Sequence, residues 1–180
     1  FAAGEAKLGR LFARMEFDTG SQVEIGDLLV RSFSVSHDTV DPVGFVISDG
    51  QNSIDYCTDT GKVSHLITRR LCGCNALILE FNHNLEMLKN GPYPLPLQQR
   101  VRSSKGHLSN EDAATFLAEL MGEQLHSIVL AHLSETNNTP RLAREAAQLA
   151  VQEWGNTALL LASQDAALPL LDISEKGRRL

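Results

Sequence analysis

The chain has 180 residues, of which 43% are hydrophobic and 21% charged, and its formal net charge is −6. This length is typical of one domain with its own core, and no apolar run approaches the roughly 18 residues of a membrane span. The acidic balance excludes a protein that coats nucleic acid non-specifically, because such binding needs a basic surface. A local basic groove stays compatible with it.

Seven short segments are rich in branched and aliphatic residues and are bounded by Gly, Asp or Asn, which predicts strands. They cover residues 23–25, 28–35, 43–48, 53–57, 76–80, 127–131 and 158–162. The first four are separated by short turns such as Ser48-Asp49-Gly50, which favours an antiparallel meander. The later strands alternate with helical patterns, which indicates helices covering a layered sheet.

Three helices are predicted. Ser109 and the three residues after it have the form of a capping box, and the helix that follows should end near Gly122. Its buried face is predicted to consist of Ala113, Phe116, Leu117 and Leu120. A second helix begins at Thr139-Pro140 and runs to about Trp154, with proline in its favoured first turn. A third, shorter helix covers residues 63–71.

The three cysteines, Cys57, Cys72 and Cys74, are too few and too clustered for a disulfide framework. They favour a reducing, cytoplasmic setting. The Cys72-Gly-Cys74 pair has the ligand chemistry for a soft metal, but a free cysteine is more often a small buried apolar residue.

Asp59 stands where the strand of residues 53–57 ends, in the stretch SIDYCTDTGKV. A turn accounts for an Asp there, and the alternative is a carboxylate held out to bind something. His37 and His132 also follow strands, and two imidazoles with one carboxylate suit zinc or a similar cation if they converge. An isolated His at a strand end is more often a hydrogen-bonded surface residue. His65 and His126 are interpreted as structural.

His107 precedes the Ser109 cap and stands close to the start of a helix, where free amides attract anions. Arg100, Arg102 and Lys105 lie just upstream and form a short basic run in an acidic protein. One interpretation is a solvated helix end, as charge runs usually are. The other is a phosphate-binding site in which His107 donates a proton.

Five ordered segments resemble the second half of a metallo-β-lactamase-fold hydrolase, on the branch of ribonuclease Z and related phosphodiesterases. They are SHDTVDPVGFVI, YCTDTG, LILEFNHN, GHLSN and IVLAHLSETNN. The resemblance runs from about residue 21 to residue 138 and is closest to the bacterial YycJ/WalJ subgroup, regarded as 5′-to-3′ DNA exonucleases. It implies an α+β fold, the four-layer αββα sandwich, and two divalent metal ions, zinc or manganese.

The resemblance also assigns metal ligands. His37 would bind one ion, Asp59 would bridge both, and His132 would bind the other. The family's principal signature, H-x-H-x-D-H, is absent from this sequence. We therefore expect residues 1–180 to be the C-terminal part of one incomplete domain, with Phe1 to Phe17 as the helical end of the preceding part. These residues alone should bind metal poorly and hydrolyse nothing.

Other positions correspond to residues near the substrate. His107 matches a histidine beside the leaving group, and Glu80 and His83 match a motif at the same edge, where Glu80 would orient a ligand imidazole. Asn137 and Asn138 should shape the loop beyond His132, without an assigned role.

The implied function is metal-dependent hydrolysis of nucleic-acid phosphodiester bonds, with DNA favoured over RNA. The alternatives within the fold are a ribonuclease Z-like endonuclease, a cyclic phosphodiesterase, or a thioester or lactone hydrolase. An interaction domain that has lost the chemistry is an alternative of another class. No membrane partner is expected, and a homodimer stays open.

Overall fold

The computed structural model describes residues 16–122, 124–154 and 157–174. These ranges contain one sheet whose seven strands lie side by side in chain order. The strands are β1 (Gln22–Ile25), β2 (Leu28–Ser34), β3 (Val43–Ser48), β4 (Ser53–Cys57), β5 (Ala76–Glu80), β6 (Ser127–Ala131) and β7 (Ala158–Leu161). The helices are α1 (His65–Leu71), α2 (Leu85–Asn90), α3 (Leu95–Val101), α4 (Asn110–Leu120) and α5 (Pro140–Val151).

All seven predicted strands are present, and the antiparallel meander of the first four is confirmed. From β5 to β7 each strand is parallel to the strand before it. A parallel pair needs a crossover connection, and the connections of this half contain the helices. One half of the sheet is therefore a meander and the other half an α/β arrangement.

The three predicted helices are confirmed with small changes at their ends. Ser109 Oγ accepts a hydrogen bond from the Asp112 amide at 3.0 Å and caps α4, whose predicted apolar face is buried. Thr139 caps α5 in the same way, but that helix ends at Val151, before Trp154. The N-cap of α1 is Ser64, so the helix starts two residues later than expected.

Two short helices, α2 and α3, are absent from the prediction. Each has only six or seven residues, too few for a clear apolar period. The prolines at 94 and 96 also favour a turn, although Pro96 occupies the first turn of α3, where proline is tolerated.

The two faces of the sheet have different surroundings. On one face, Cys57, Leu79 and Leu130 form a fully buried row that belongs to the core with the helices. On the other face, a paired row crosses five strands and consists of Phe45, Tyr56, Ile78, Val129 and Leu160. Tyr56 in this row is 38% exposed. The described ranges thus form one helix layer and one sheet layer, with a second apolar face left partly open.

Some expectations concern other parts of the chain. The predicted helical segment from Phe1 to Phe17 falls mostly on residues 1–15, which lie outside the described ranges. Within those ranges, no helix is long and apolar enough to span a membrane.

Asp55 is a buried acid in the centre of the sheet. Asp55 is 1% exposed, and its Oδ1 has no hydrogen-bond partner among the described residues. Burial raises the pKa of Asp55 to about 7, and contacts with Ser53 and Cys74 offset only part of that rise. The carboxyl group is therefore protonated in the folded chain under mildly acidic conditions.

This burial predicts a stability that falls as the pH rises. Because the pKa of Asp55 is about 7 when folded and 3.8 for a free Asp, the folded state holds an extra proton between these values. The free energy of unfolding should fall across this range by up to about 1.4 kcal/mol per pH unit. Urea titrations at several pH values should show that Asp55→Asn removes this fall, whereas Asp27→Asn, at an exposed turn, retains it. An unchanged slope in Asp55→Asn contradicts the assignment.

Candidate metal centre

Five polar side chains meet at one edge of the sheet. Strands β4, β5 and β6 are parallel, so Asp59, Glu80 and His132 all lie at their carboxyl ends. β2 runs in the same direction as β4, because two antiparallel pairings separate them, and this brings His37 to the same edge. His107 reaches it from the loop before α4. The convergence expected for His37, Asp59 and His132 is present.

Asp59 lies between two imidazoles. Its Oδ1 is 3.7 Å from Nε2 of His37 and 3.7 Å from Nε2 of His132. Two donors that share a tetrahedral zinc ion, each about 2.1 Å from it, lie about 3.4 Å apart, so this spacing fits donors around a cation. The His107 ring lies 4.9 Å from that of His37 and 5.1 Å from that of His132. Donor atoms of His37, Asp59 and His107 all lie within 4.8 Å of one another.

The carboxylate of Glu80 connects the loops that form the centre. It is fully buried, and its Oε2 accepts hydrogen bonds from Nδ1 of His107 at 3.1 Å and from Nδ1 of His132 at 3.2 Å. Its Oε1 accepts the amides of Thr60 at 2.8 Å and Leu108 at 3.2 Å. One carboxylate thus joins the loops that follow β4 and β6 to the loop that precedes α4.

These hydrogen bonds also set the charges. Burial alone would raise the pKa of Glu80, but the hydrogen bonds from His107, His132 and Thr60 outweigh it and lower the pKa below its usual value. The hydrogen bond to Glu80 raises the pKa of His132 against the effect of burial, and Asp59 adds to the rise. Glu80 is therefore an ionised acceptor and not a protonated acid.

The three rings present the same nitrogen to the centre. Nδ1 of His37 lies 3.1 Å from the carbonyl oxygen of Gly106. Nδ1 of His107 and Nδ1 of His132 are hydrogen-bonded to Oε2 of Glu80. An acceptor at Nδ1 places the proton there and leaves Nε2 with a free lone pair. Nε2 of His37, Nε2 of His132 and the carboxylate of Asp59 form a donor set suited to zinc or manganese, with the ring of His107 beside it.

The backbone is strained at two of these positions. Asp59 and His132 both have a φ of 56°, and no other residue except glycine has a positive φ in the described ranges. This region is uncommon for every residue except glycine, although Asp and His enter it more often than most, and it costs of order 1–3 kcal/mol. Asn82 Nδ2 donates to the His132 carbonyl at 2.9 Å and holds the strained residue in place.

Three loops pack tightly around the centre. The Gly61 amide donates to the Ser36 carbonyl at 2.8 Å, and Ser36 Oγ donates to the Ser104 carbonyl at 2.6 Å. A Cβ atom at Gly61 would lie within 2.7 Å of three backbone atoms of residues 103–106. The absence of a side chain at Gly61 therefore allows the loop with Asp59 to contact the loop with His107.

The basic run is only partly open. Arg100 Nε lies 2.5 Å from Oδ2 of Asp38, and this hydrogen bond lowers the pKa of Asp38. Arg100 is thus paired with the neighbour of His37, and its predicted role in binding a phosphate stays a prediction. Arg102 and Lys105 are exposed on the same stretch of chain as His107.

His83 lies apart from the hydrogen bonds of the centre. It is 1% exposed, and neither ring nitrogen has a hydrogen-bond partner among the described residues. Burial lowers the pKa of His83 to about 4, so the ring is neutral. Its backbone pairs with Ser109, which places it beside the loop of His107. Its ring makes no hydrogen bond to a candidate ligand in the described ranges, and its predicted role stays a prediction.

Other candidates from the sequence lie elsewhere. His65 is the exposed first residue of α1, and Nε2 of His126 donates to the Ile173 carbonyl at 3.1 Å. Cys72 is exposed and Cys74 buried, and neither belongs to a group of potential metal ligands within the described ranges. The interpretation of the two histidines as structural agrees with these positions.

Sequence reasoning missed the backbone partners of the centre. The Gly106 carbonyl and the amides of Thr60 and Leu108 set the positions of His37 and Glu80. Every residue type except proline carries these groups, so no residue pattern marks them. Asn82 was also missed, and its only signal is an amide side chain just after an apolar strand.

Residues 3–133 match the family described as a beta-lactamase superfamily domain. The chain belongs to this superfamily. Exodeoxyribonuclease YycJ of Bacillus anthracis is 38% identical over 139 residues, which are 77% of this chain and 53% of that protein. Exodeoxyribonuclease WalJ of Streptococcus pneumoniae is 36% identical over 162 residues, which are 87% of this chain and 60% of that protein.

This chain therefore spans 53% of the length of the first relative and 60% of the length of the second. The metallo-beta-lactamase fold protein YhfI of Bacillus subtilis has a similar structure, with a TM-score of 0.61 and 17% identity, covering 81% of this chain and 51% of that one. An identity this low shows the fold alone. Together these matches confirm the predicted superfamily, the YycJ/WalJ subgroup and the α+β fold.

Gly61 provides a test of the loop packing. Gly61→Ala forces a Cβ atom against backbone that has no room for it, so the free energy of unfolding should fall by about 1–3 kcal/mol. The control is Gly122→Ala, where the nearest atom would lie 4.0 Å away. Urea unfolding of both variants measures the difference, and equal stability of the two would disprove the close contact.

Proposed function

We propose that this chain is the C-terminal portion of a metal-dependent phosphodiesterase domain that hydrolyses nucleic acid, most simply DNA from a 5′ end. The observation that carries the proposal is the convergence of Nε2 of His37 and Nε2 of His132 on the carboxylate of Asp59, with the ring of His107 beside them. Each ring is oriented by an acceptor at Nδ1, so the donors face one space before any ligand arrives. Such preorganisation is typical of metal sites.

The donors fit two divalent ions, zinc or manganese. His37 would bind one ion, His132 the other, and Asp59, with its two carboxylate oxygens, would bridge them. When bound, the ions lower the pKa of a water molecule and neutralise charge on the phosphate. The ring of His107 lies beside those of His37 and His132. We assign His107 to proton transfer, as the family resemblance implies.

The residues of the chain divide the chemistry among them. Asp59 orients the water that attacks phosphorus, and Nε2 of His107, which carries a free lone pair, accepts the proton that this water loses. As the bond from phosphorus to the leaving oxygen breaks, the protonated ring of His107 returns that proton to the leaving oxygen through Nε2. Glu80 holds Nδ1 of His107, which keeps Nε2 directed into the centre.

Residues outside this chain would complete the centre. His37, Asp59 and His132 leave each ion with about two protein ligands, fewer than the four of a stable zinc site. The partly open row of Phe45, Tyr56, Ile78, Val129 and Leu160 also offers an apolar face on which a second sheet would pack, as in the αββα sandwich. Both features support a single domain that continues beyond these residues.

A nucleic-acid substrate is supported by two observations. YycJ and WalJ are named exodeoxyribonucleases. Arg102 and Lys105 are exposed beside His107, where they would neutralise phosphates next to the one being cleaved. A substrate with a single phosphodiester bond would leave these neighbouring cations without a phosphate to contact.

Substitutions at two positions should separate metal binding from proton transfer. In the complete protein, Asp59→Ala should abolish hydrolysis and release metal, because the bridge between the ions is lost. His107→Ala should slow turnover by roughly 10²–10⁴-fold while the metal content is unchanged. Elemental analysis and hydrolysis of a DNA substrate measure the two effects.

His65→Ala is the matched control, since His65 is exposed on α1 and outside the centre. It should change neither metal content nor turnover. Loss of metal in the His107 variant contradicts its assignment, and wild-type activity in the Asp59 variant contradicts the proposed chemistry.

Salt dependence should distinguish a polymer from a small phosphodiester. If Lys105 contacts a phosphate, Lys105→Ala should lower the slope of log affinity against log salt by about 0.7–0.9. Arg100→Ala should change the slope less, because Arg100 is paired with Asp38. Filter binding to a DNA oligonucleotide measures the two slopes. Both substitutions are made in a protein that also carries Asp59→Ala, so that the DNA is not cleaved during the measurement. If the protein with Arg100, Arg102 and Lys105 intact shows a slope of log affinity against log salt near zero, a small cyclic phosphodiester is favoured as the substrate instead.

A further inference from the structure

Two buried asparagines form a reciprocal pair behind the candidate centre. Nδ2 of Asn110 donates to Oδ1 of Asn138 at 2.9 Å, and Nδ2 of Asn138 donates to Oδ1 of Asn110 at 2.9 Å. The two residues are 1% and 5% exposed. Asn110 is the first residue of α4, and Asn138 lies six positions after His132.

Asn138 extends this pair to a third segment. Its Nδ2 also lies 2.7 Å from the carbonyl of Phe81 and 3.1 Å from that of Asn82, in the chain just after Glu80. Its Oδ1 accepts the amide of Thr139 at 2.8 Å. The side chain of Asn138 therefore uses both its donors and its acceptor on three different parts of the chain.

Asn82 links the same segments a second time. Its carbonyl accepts the Ser134 amide at 2.8 Å, and its Nδ2 donates to the carbonyl of His132, whose backbone is strained. The asparagines thus connect the three stretches that present His107, His132 and Glu80.

We propose that the Asn110–Asn138 pair is a positioning clamp for the candidate centre. It keeps the start of α4 and the segments after β5 and β6 in fixed register. That register holds the Nδ1–H groups of two separate rings on the one carboxylate of Glu80. The catalytic part of this inference rests on the proposed function, while the positional part concerns this chain alone.

The chemistry of the pair favours this role over simple packing. A buried amide costs free energy unless its donors and acceptor are satisfied, and leucine would fill similar space without that requirement. A reciprocal amide pair has one geometry, since each oxygen must face the other nitrogen. It therefore specifies the relative position of two segments more strictly than apolar contact does.

The test is the state of the histidine rings. In the complete protein with ¹⁵N-labelled histidine, long-range NMR correlations report which ring nitrogen is protonated. The rate of exchange with solvent reports how firmly the Nδ1–H is held. We expect the wild type and the control Asn90→Ala, at an exposed position on α2, to show slowly exchanging Nδ1–H groups on His107 and His132.

In Asn110→Ala and Asn138→Ala, exchange of both Nδ1–H groups should accelerate at least about 10-fold, in line with the 10–100-fold effects of removing outer partners at metal sites. The double variant should change exchange no more than the larger single change, since the partners act as one unit. Amides in the middle of β5 and β6 should keep their protection.

Two outcomes overturn the clamp. One is unchanged ring exchange in both alanine variants. The other is an equal loss of protection at the rings and in the core strands, which would make the pair a contributor to global stability only. If the alanine variants do not fold, Asn110→Asp serves instead, because it keeps an acceptor for Asn138 Nδ2 and removes the donor to Oδ1.

A second measurement separates the clamp from the proposed function. In the complete protein, the clamp variants should lower kcat by about 10–100-fold with little change in KM. Altered rings together with wild-type kcat would reject the clamp's part in hydrolysis. Altered rings in a protein whose wild type hydrolyses no phosphodiester would reject the proposed function and leave the clamp established.

Discussion

The arrangement at the sheet edge depends on one buried carboxylate, that of Glu80. It accepts four hydrogen bonds, two from imidazoles and two from backbone amides. Because Glu80 is the last residue of β5, it is anchored in the middle of the sheet, and the loops around it take their positions from the strand. A neutral residue of the same size would leave two ring N–H groups without an ionised acceptor, which is costly in a buried setting.

The strain at Asp59 and His132 follows from the same geometry. A strand points successive side chains to opposite faces, so a side chain directed along the edge must leave the strand pattern. Both residues do so with a positive φ just beyond a strand end. Thr60, next to Asp59, is hydrogen-bonded to Glu80, and the carbonyl of His132 is held by Asn82. The strained conformations therefore occur where neighbouring contacts over-determine the backbone.

Much of this arrangement was predictable from the residues. Apolar runs that end close to Asp59, Glu80 and His132 marked strand ends, but their convergence was only a hypothesis at that point. The parallel pairing of β4, β5 and β6 brings these ends to one edge. The short helices α2 and α3 carried too few residues for a period. The pairing of Arg100 with Asp38 joins positions 62 apart in the chain, and nothing in a basic run indicates which of its members finds an acid. Likewise the Asn110–Asn138 pair becomes visible only when the two loops are placed side by side.

The order of the strands has a consequence for how the molecule forms. Each strand pairs with the one before it, from β1 to β7, so the sheet can lengthen by adding one neighbour at a time. The first four strands close short loops, whereas residues 81–126 must be closed before β6 can pair with β5. The polar groups at the edge then arrive in the order of the sequence, from His37 through Glu80 to His132. During synthesis on the ribosome, the carboxylate of Glu80 would be in place before either of the rings that it orients had emerged.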